Sequence, residues 1–203
     1  HHLSTPDAIA AHVGFQTQVL SDWATHDTYD TYWEQIDQSL MHEQVNVPGF
    51  HTGGWFDHLT RGQFETYQNV RDQGATKSAR CGQRLLIGPW GHRNVGNTGP
   101  DHCCYGDWNF GQDANLPVLT HELQFLDLHL RDVDNGYTSQ PPVKVFLMGD
   151  NRWLTLEDWP PPNAITQSWY LNSSGSANTR IGDGQLIPQS PQGSATDCYV
   201  YQP

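Results

Sequence analysis

Val45-Asn-Val-Pro-Gly-Phe-His-Thr-Gly-Gly-Trp-Phe-Asp57 and Arg84-Leu-Leu-Ile-Gly-Pro-Trp-Gly-His92 decide how this chain is read. Each is a short apolar run that meets a glycine-marked break and ends on a residue able to do acid–base chemistry. The first predicts a buried strand with a turn at Gly53-Gly54. The second predicts a buried strand over residues 85–87, stopped by Gly88-Pro89. Between them, Leu59, Phe64, Tyr67 and Val70 share one face of a helix expected over 58–73, with Gly74 as its C-cap. Strand, helix, strand is a βαβ unit, and strands this apolar belong to a parallel sheet covered on both faces.

Upstream, Ile9, Val13, Val19, Leu20 and Trp23 recur at helical spacing over 7–24, and the polar, aromatic segment 26–33 reads as a turn into a short helix ending near Leu40. Downstream, residues 93–115 form a long polar loop of the kind that covers or builds a site. Leu119, Leu123, Leu126 and Leu130 mark a further helix over 117–131. At Pro141-Pro142 the texture changes to short strands, 143–148, 167–171, 186–187 and 198–201, between segments rich in Pro, Gly, Ser and Asn. That is the pattern of a β-sandwich or jelly roll. The fold class is therefore α/β plus all-β. The expected divisions are a helical segment 1–40, a parallel-sheet part 41–137 and a partial β-domain 141–203.

The formal charge of −12, with only 10 Lys plus Arg, argues against nucleic acid and against an anionic membrane surface as partners. No run approaches the roughly 18 apolar residues of a membrane helix. The compartment is not legible. The cysteines Cys81, Cys103, Cys104 and Cys198 do not have the spacing of a disulfide scaffold. His102-Cys103 lacks a second ligand pair for zinc, so no metal site and no cofactor is expected.

Asp57 and His92 each follow a predicted strand, and ligands of parallel α/β sheets bind outside the carboxyl ends of the strands. A carboxylate there can hold one imidazole nitrogen while the other acts as general base. Each residue also has a plainer reading: Asp57 as a turn or helix-cap residue, His92 as an incidental histidine. The order acid then histidine is that of α/β-hydrolases.

The same stretches resemble the cocaine esterase and X-Pro dipeptidyl-peptidase group of serine hydrolases. The resemblance rests on Val47-Pro48 through Gly54-Trp-Phe-Asp57 and on Leu85-Leu-Ile-Gly-Pro-Trp-Gly-His92. Further matches are Asp107-Trp-Asn-Phe-Gly111, Phe125-Leu-Asp-Leu-His-Leu-Arg131 and the strand opening the β-domain at 143–153, with shorter ones at Trp169-Tyr-Leu and Gly184-Gln-Leu. Asp27-Thr-Tyr-Asp-Thr-Tyr-Trp33 resembles the exit from that family's helical cap. The resemblance implies Asp57 as triad acid, His92 as triad base, an α/β-hydrolase sheet and a jelly-roll domain. The substrate it implies is a small ester or an X-Pro dipeptidyl peptide.

It also implies a serine in a Gly-x-Ser-x-Gly elbow, and none is present. Ser4, Ser21 and Ser39 precede the acid without flanking glycines, and Ser174 comes after the histidine. Three explanations follow: a piece of a longer product, a split enzyme whose upstream polypeptide carries the serine, or a non-catalytic relative. On the first two, the chain alone is inactive. Homo-oligomerisation stays open.

Trp55 and Trp90, each two residues before a catalytic candidate, and Asp107 in the following loop are candidate pocket residues, with core packing and a solvated loop as their plainer readings. His58 reads as a surface or capping residue, and Asp27 and Asp30 as helix-start residues. A rival function of another class is a carbohydrate- or ligand-binding module on the jelly roll, with Trp153, Trp159 and Trp169 as a stacking row.

Overall fold

The structure is a computed structural model that describes residues 12, 14, 18–92, 95, 104–193 and 196–200. Much of the helix expected over 7–24, with Ile9 and Val13, lies outside the described residues, as do His102 and Cys103. The chain forms two compact units, His1–Trp159 and Pro160–Pro203.

The first unit carries helix α1 (Gln18–Thr25) and the short helix α2 (Thr31–Glu34). Asp30 caps α2, its carboxylate accepting from the Tyr32 N–H at 2.9 Å. A 3₁₀ turn at Gln38–Gln44 then leads into strand β1 (Gly49–Phe56). Helix α3 (Thr60–Gln73) follows, then the short helix α4 (Lys77–Cys81), capped by Thr76, and strand β2 (Gln83–Gly91). A hairpin of β3 (Cys104–Tyr105) and β4 (Trp108–Asn109) lies in the segment expected to be loop. Helix α5 (Val118–Arg131) and strands β5 (Val143–Leu147) and β6 (Arg152–Leu156) complete the unit.

The sheet order is β1-β2-β5-β6, with β1, β2 and β5 parallel and β6 antiparallel to β5. The result is a mixed sheet with helices. Period-2 alternation in β2 explains the covering of both faces. Leu85 and Ile87 join Val143, Val145 and Tyr67 of α3 in one cluster, while Leu86 points to the other face with Trp90, Leu116 and Val118. Each such side chain, fully buried, contributes about 1.5–3 kcal/mol.

Both strands run further than their glycines suggested. Gly53-Gly54 is not a turn: β1 passes through it to Phe56. A Cβ on Gly54 would collide with the Trp90 carbonyl, so this glycine serves the close approach of two strands. Gly88-Pro89 likewise lies inside β2, where the register shifts from Gly54↔Gly88 to Phe56↔Gly91. A proline without an N–H is tolerated at such an irregularity.

Helix α5 forms where its leucines predict it, yet its buried residues are Val118 and Phe125. Phe125 packs on Phe50 and Tyr137, whereas Leu119, Leu123, Leu126 and Leu130 face outward. Past the change of texture at Pro141-Pro142, the first compact unit runs on to Trp159. Val143 and Val145 complete the cluster under Tyr67, which draws β5 and β6 into the sheet.

In the second unit β7 (Tyr170–Asn172) pairs antiparallel with β8 (Gln185–Ile187). Asp183 accepts from the N–H groups of Ser174 and Ser176, and Asp197 from the Ser173 hydroxyl and the Ala177 N–H. These carboxylates tie the loops around one two-stranded ladder. Residues 198–200 form no strand, and residue 201 lies outside the described residues.

Candidate active site

Because β1 and β2 are parallel, their carboxyl ends share one edge of the sheet. Asp57 follows the last residue of β1 and His92 the last residue of β2. The Nδ1 of His92 lies 3.2 Å from both Oδ1 and Oδ2 of Asp57. The Asp57 side chain is 6% exposed and that of His92 is 55% exposed.

Local chemistry holds the carboxylate. The Leu59 N–H donates to Asp57 Oδ1 at 2.9 Å, an Asx turn leading into α3. The Asp57 N–H donates to the Gly54 carbonyl, and the Thr60 hydroxyl reaches the Asp57 carbonyl at 2.8 Å. Asp57 is thus a turn residue and the partner of His92 at once. Burial pushes its carboxyl up, but the Leu59 N–H, the hydrogen bond to His92 and the nearby charges of His92 and His58 outweigh this and leave it below the usual carboxylate range.

His58 stands closer to this pair than a surface or capping role requires. Its Nδ1 is 3.5 Å from Asp57 Oδ1, and its ring centroid is 4.9 Å from that of His92. An aromatic layer lies beside the pair: Tyr105 of β3 stacks on Phe56 at 4.3 Å and sits where a side chain on Gly91 would have to go. Nothing in the sequence pointed to Tyr105, because only the β3–β4 hairpin brings it back over β2.

The other candidate residues are placed elsewhere. Trp90 is not a pocket wall: it is 1% exposed, packed among Leu86, Leu116 and Val118. Trp55 packs on Phe64 and Trp159, and its indole N–H donates to the Phe146 carbonyl at 2.7 Å. Trp90 is a core tryptophan and Trp55 packs, partly buried, against the core of the opposite face, since alternation along the strands points them to the sheet's two faces. Asp107 lies exposed in the β3–β4 turn and, among the described residues, makes no hydrogen bond or ion pair to Asp57 or His92. Trp153 and Trp159, two members of the expected stacking row, pack within the first unit. Trp153 packs on Trp90 and Phe146, and Trp159 on Trp55 and Phe64.

Among the described residues no serine hydroxyl hydrogen-bonds to His92, and no helix is long and apolar enough to cross a membrane.

Residues 5–94 match the family model of the X-Pro dipeptidyl-peptidase (S15 family), and residues 135–203 match that of the X-Pro dipeptidyl-peptidase C-terminal non-catalytic domain. Cocaine esterase of Rhodococcus sp. is 30% identical over 188 residues, which are 91% of this chain and 30% of that protein. An aminopeptidase from a marine sediment Thaumarchaeota archaeon superposes with a TM-score of 0.64 at 22% identity, over 95% of this chain and 30% of its own. A CocE/NonD family hydrolase from Staphylococcus aureus gives 0.53 at 18% identity, over 84% of this chain and 27% of its own. The two structural likenesses concern the fold. The chain spans less than a third of the length of these relatives.

Proposed function

The chain is homologous to cocaine esterase and to the CocE/NonD family hydrolases, and on that premise we propose that it forms the acid–histidine half of a serine hydrolase active site. The observation that carries the proposal is the contact between His92 Nδ1 and both oxygens of Asp57, at the shared carboxyl edge of two parallel strands.

Asp57, ionised and held by the Leu59 N–H, accepts the Nδ1 proton of His92 as a hydrogen bond and so fixes the tautomer in which Nε2 is the base. Nε2 lies on the opposite side of the ring from Asp57. His92 then takes the proton of a serine supplied by polypeptide upstream of this chain. The serine forms an acyl-enzyme, and His92 returns the proton to the leaving group. The substrate is a small ester or an X-Pro dipeptidyl peptide. The match of residues 135–203 to a C-terminal non-catalytic domain fits a chain whose candidate acid and base both precede that stretch. The packing of Trp153 and Trp159 in the first unit leaves the carbohydrate-binding alternative without its stacking row.

The test is made on the complete polypeptide with a fluorophosphonate serine probe and an activated ester. Labelling is expected at a serine upstream of this chain, and His92→Ala is expected to abolish labelling and turnover. Labelling at a serine of these 203 residues, or full activity of the His92 variant, overturns the proposal.

A further inference from the structure

Asp57, His58 and His92 offer one carboxylate oxygen and two imidazole nitrogens that all lie within 4.8 Å of one another. We propose that these three side chains bind a divalent transition-metal ion of the Zn²⁺ class, and that the bound ion disconnects Asp57 from His92.

The distances carry the first half. Tetrahedral zinc holds N and O ligands at about 2.0–2.2 Å, which puts neighbouring donor atoms roughly 3.3–3.5 Å apart. Asp57 Oδ1 is 3.5 Å from His58 Nδ1, and the carboxylate is 3.2 Å from His92 Nδ1. Two edges of the tetrahedron are therefore present already. The remaining nitrogen–nitrogen edge is within 4.8 Å, and the His58 side chain, 73% exposed, leaves its ring room for the small adjustment that shortens it. The Leu59 N–H holds the carboxylate through Oδ1, as outer-shell donors do in metal sites. The start of α3 opposes a cation, but by only about 0.3–1 kcal/mol. The attraction of the ionised Asp57 carboxylate outweighs that. Three protein ligands leave a fourth position of a tetrahedral ion open, which describes an exchangeable site rather than a structural one.

The tautomer carries the second half, which rests on the function proposed above. A metal on Nδ1 of His92 takes the lone pair of the atom that must carry a proton toward Asp57. The proton of the neutral ring then resides on Nε2, which becomes a donor and cannot accept the proton of a serine. Metal binding and general-base catalysis exclude one another, and His58 is the residue that makes the exclusion available.

The complete polypeptide is titrated with Zn²⁺ by calorimetry and with Co²⁺ as a visible-absorption probe. Saturable binding of one ion is expected, with tetrahedral-type Co²⁺ bands. His58→Ala and His92→Ala should each weaken binding about tenfold or more, while His12→Ala, at an exposed histidine of α1's approach, should not change it. Zn²⁺ should inhibit ester hydrolysis reversibly on chelation, and His58→Ala, compared with its own metal-free rate, should lose that inhibition. Binding unchanged in His58→Ala, or no saturable binding, overturns the site. Hydrolysis that stays uninhibited while the three-residue site is filled overturns the exclusion. Binding with the expected variant pattern in a protein that hydrolyses neither esters nor X-Pro dipeptidyl peptides leaves the site standing and removes the hydrolase reading instead.

Discussion

Gly54 and Trp90 approach so closely across β1 and β2 that a Cβ on the glycine would overlap the tryptophan carbonyl. The contact falls at the register shift between Gly54 and Phe56, just before the strands deliver Asp57 and His92 to the same edge. Gly54→Ala must push the two backbones apart, and overpacking of this kind costs about 1–3 kcal/mol. The expected outcome is a lowered denaturation midpoint together with loss of turnover. An alanine variant of native stability and activity would show that the close approach is not required.

Asp57→Asn separates the two tasks of Asp57. The Asn carbonyl keeps the hydrogen bond from Leu59 N–H, so the turn into α3 survives. Its amide presents a donor to His92 Nδ1, which drives the ring proton to Nε2 and removes the base. In the complete enzyme kcat is expected to fall by about 10⁴-fold with KM little changed, the size of effect seen where a triad tautomer is inverted. A fall below tenfold would mean that the carboxylate serves only the turn.

Trp55→Phe tests whether Trp55 touches substrate. Its indole N–H donates to the Phe146 carbonyl, and its ring packs on Phe64 and Trp159. Losing that bond leaves a carbonyl without its partner, at a cost of about 1–3 kcal/mol in stability. Urea denaturation should register the loss, while KM should stay within twofold. A raised KM at unchanged stability would return Trp55 to the pocket.

The stability of the protein should decline as the pH falls below about 6.5, the reference value for histidine. Burial holds the His51 imidazole below its ordinary pKa, although its hydrogen bond to Gln83 at 2.8 Å opposes the shift. Burial acts in the same direction on His121 and His129. Above the unfolded value these rings are neutral in both states and pH has no effect. Below it the unfolded chain binds protons that the folded chain refuses, and stability is lost. Asp57, held below the usual carboxylate range, adds a second loss once the pH drops through about 3.8 toward its folded value. Urea midpoints at pH 7.5 and 5.5 check the first window, and His51→Gln should show a smaller drop between them than the parent. An equal drop would assign the acid sensitivity elsewhere.

The apolar runs before Asp57 and His92 were enough to predict two neighbouring parallel strands joined by a helix, because burial on both faces of a sheet demands such runs. The periodic leucines located α5, and Gly74 marked the end of α3. What the glycines meant was not legible. A glycine that makes a turn and a glycine that admits a neighbouring backbone look alike in one dimension, so Gly53-Gly54 and Gly88-Pro89 were expected to end strands that in fact run through them. The tryptophans were left between pocket and core for the same reason: which face a residue points to follows from a register that only strand pairing sets.

Residue type and chain order alone singled out Asp57 and His92 as an acid and a base. Their separation, the approach of His58 to both and the Tyr105 ring beside them were decided by tertiary structure. Parallel pairing brings together two strand ends that lie 35 residues apart in the chain, and no local propensity encodes a distance across that gap.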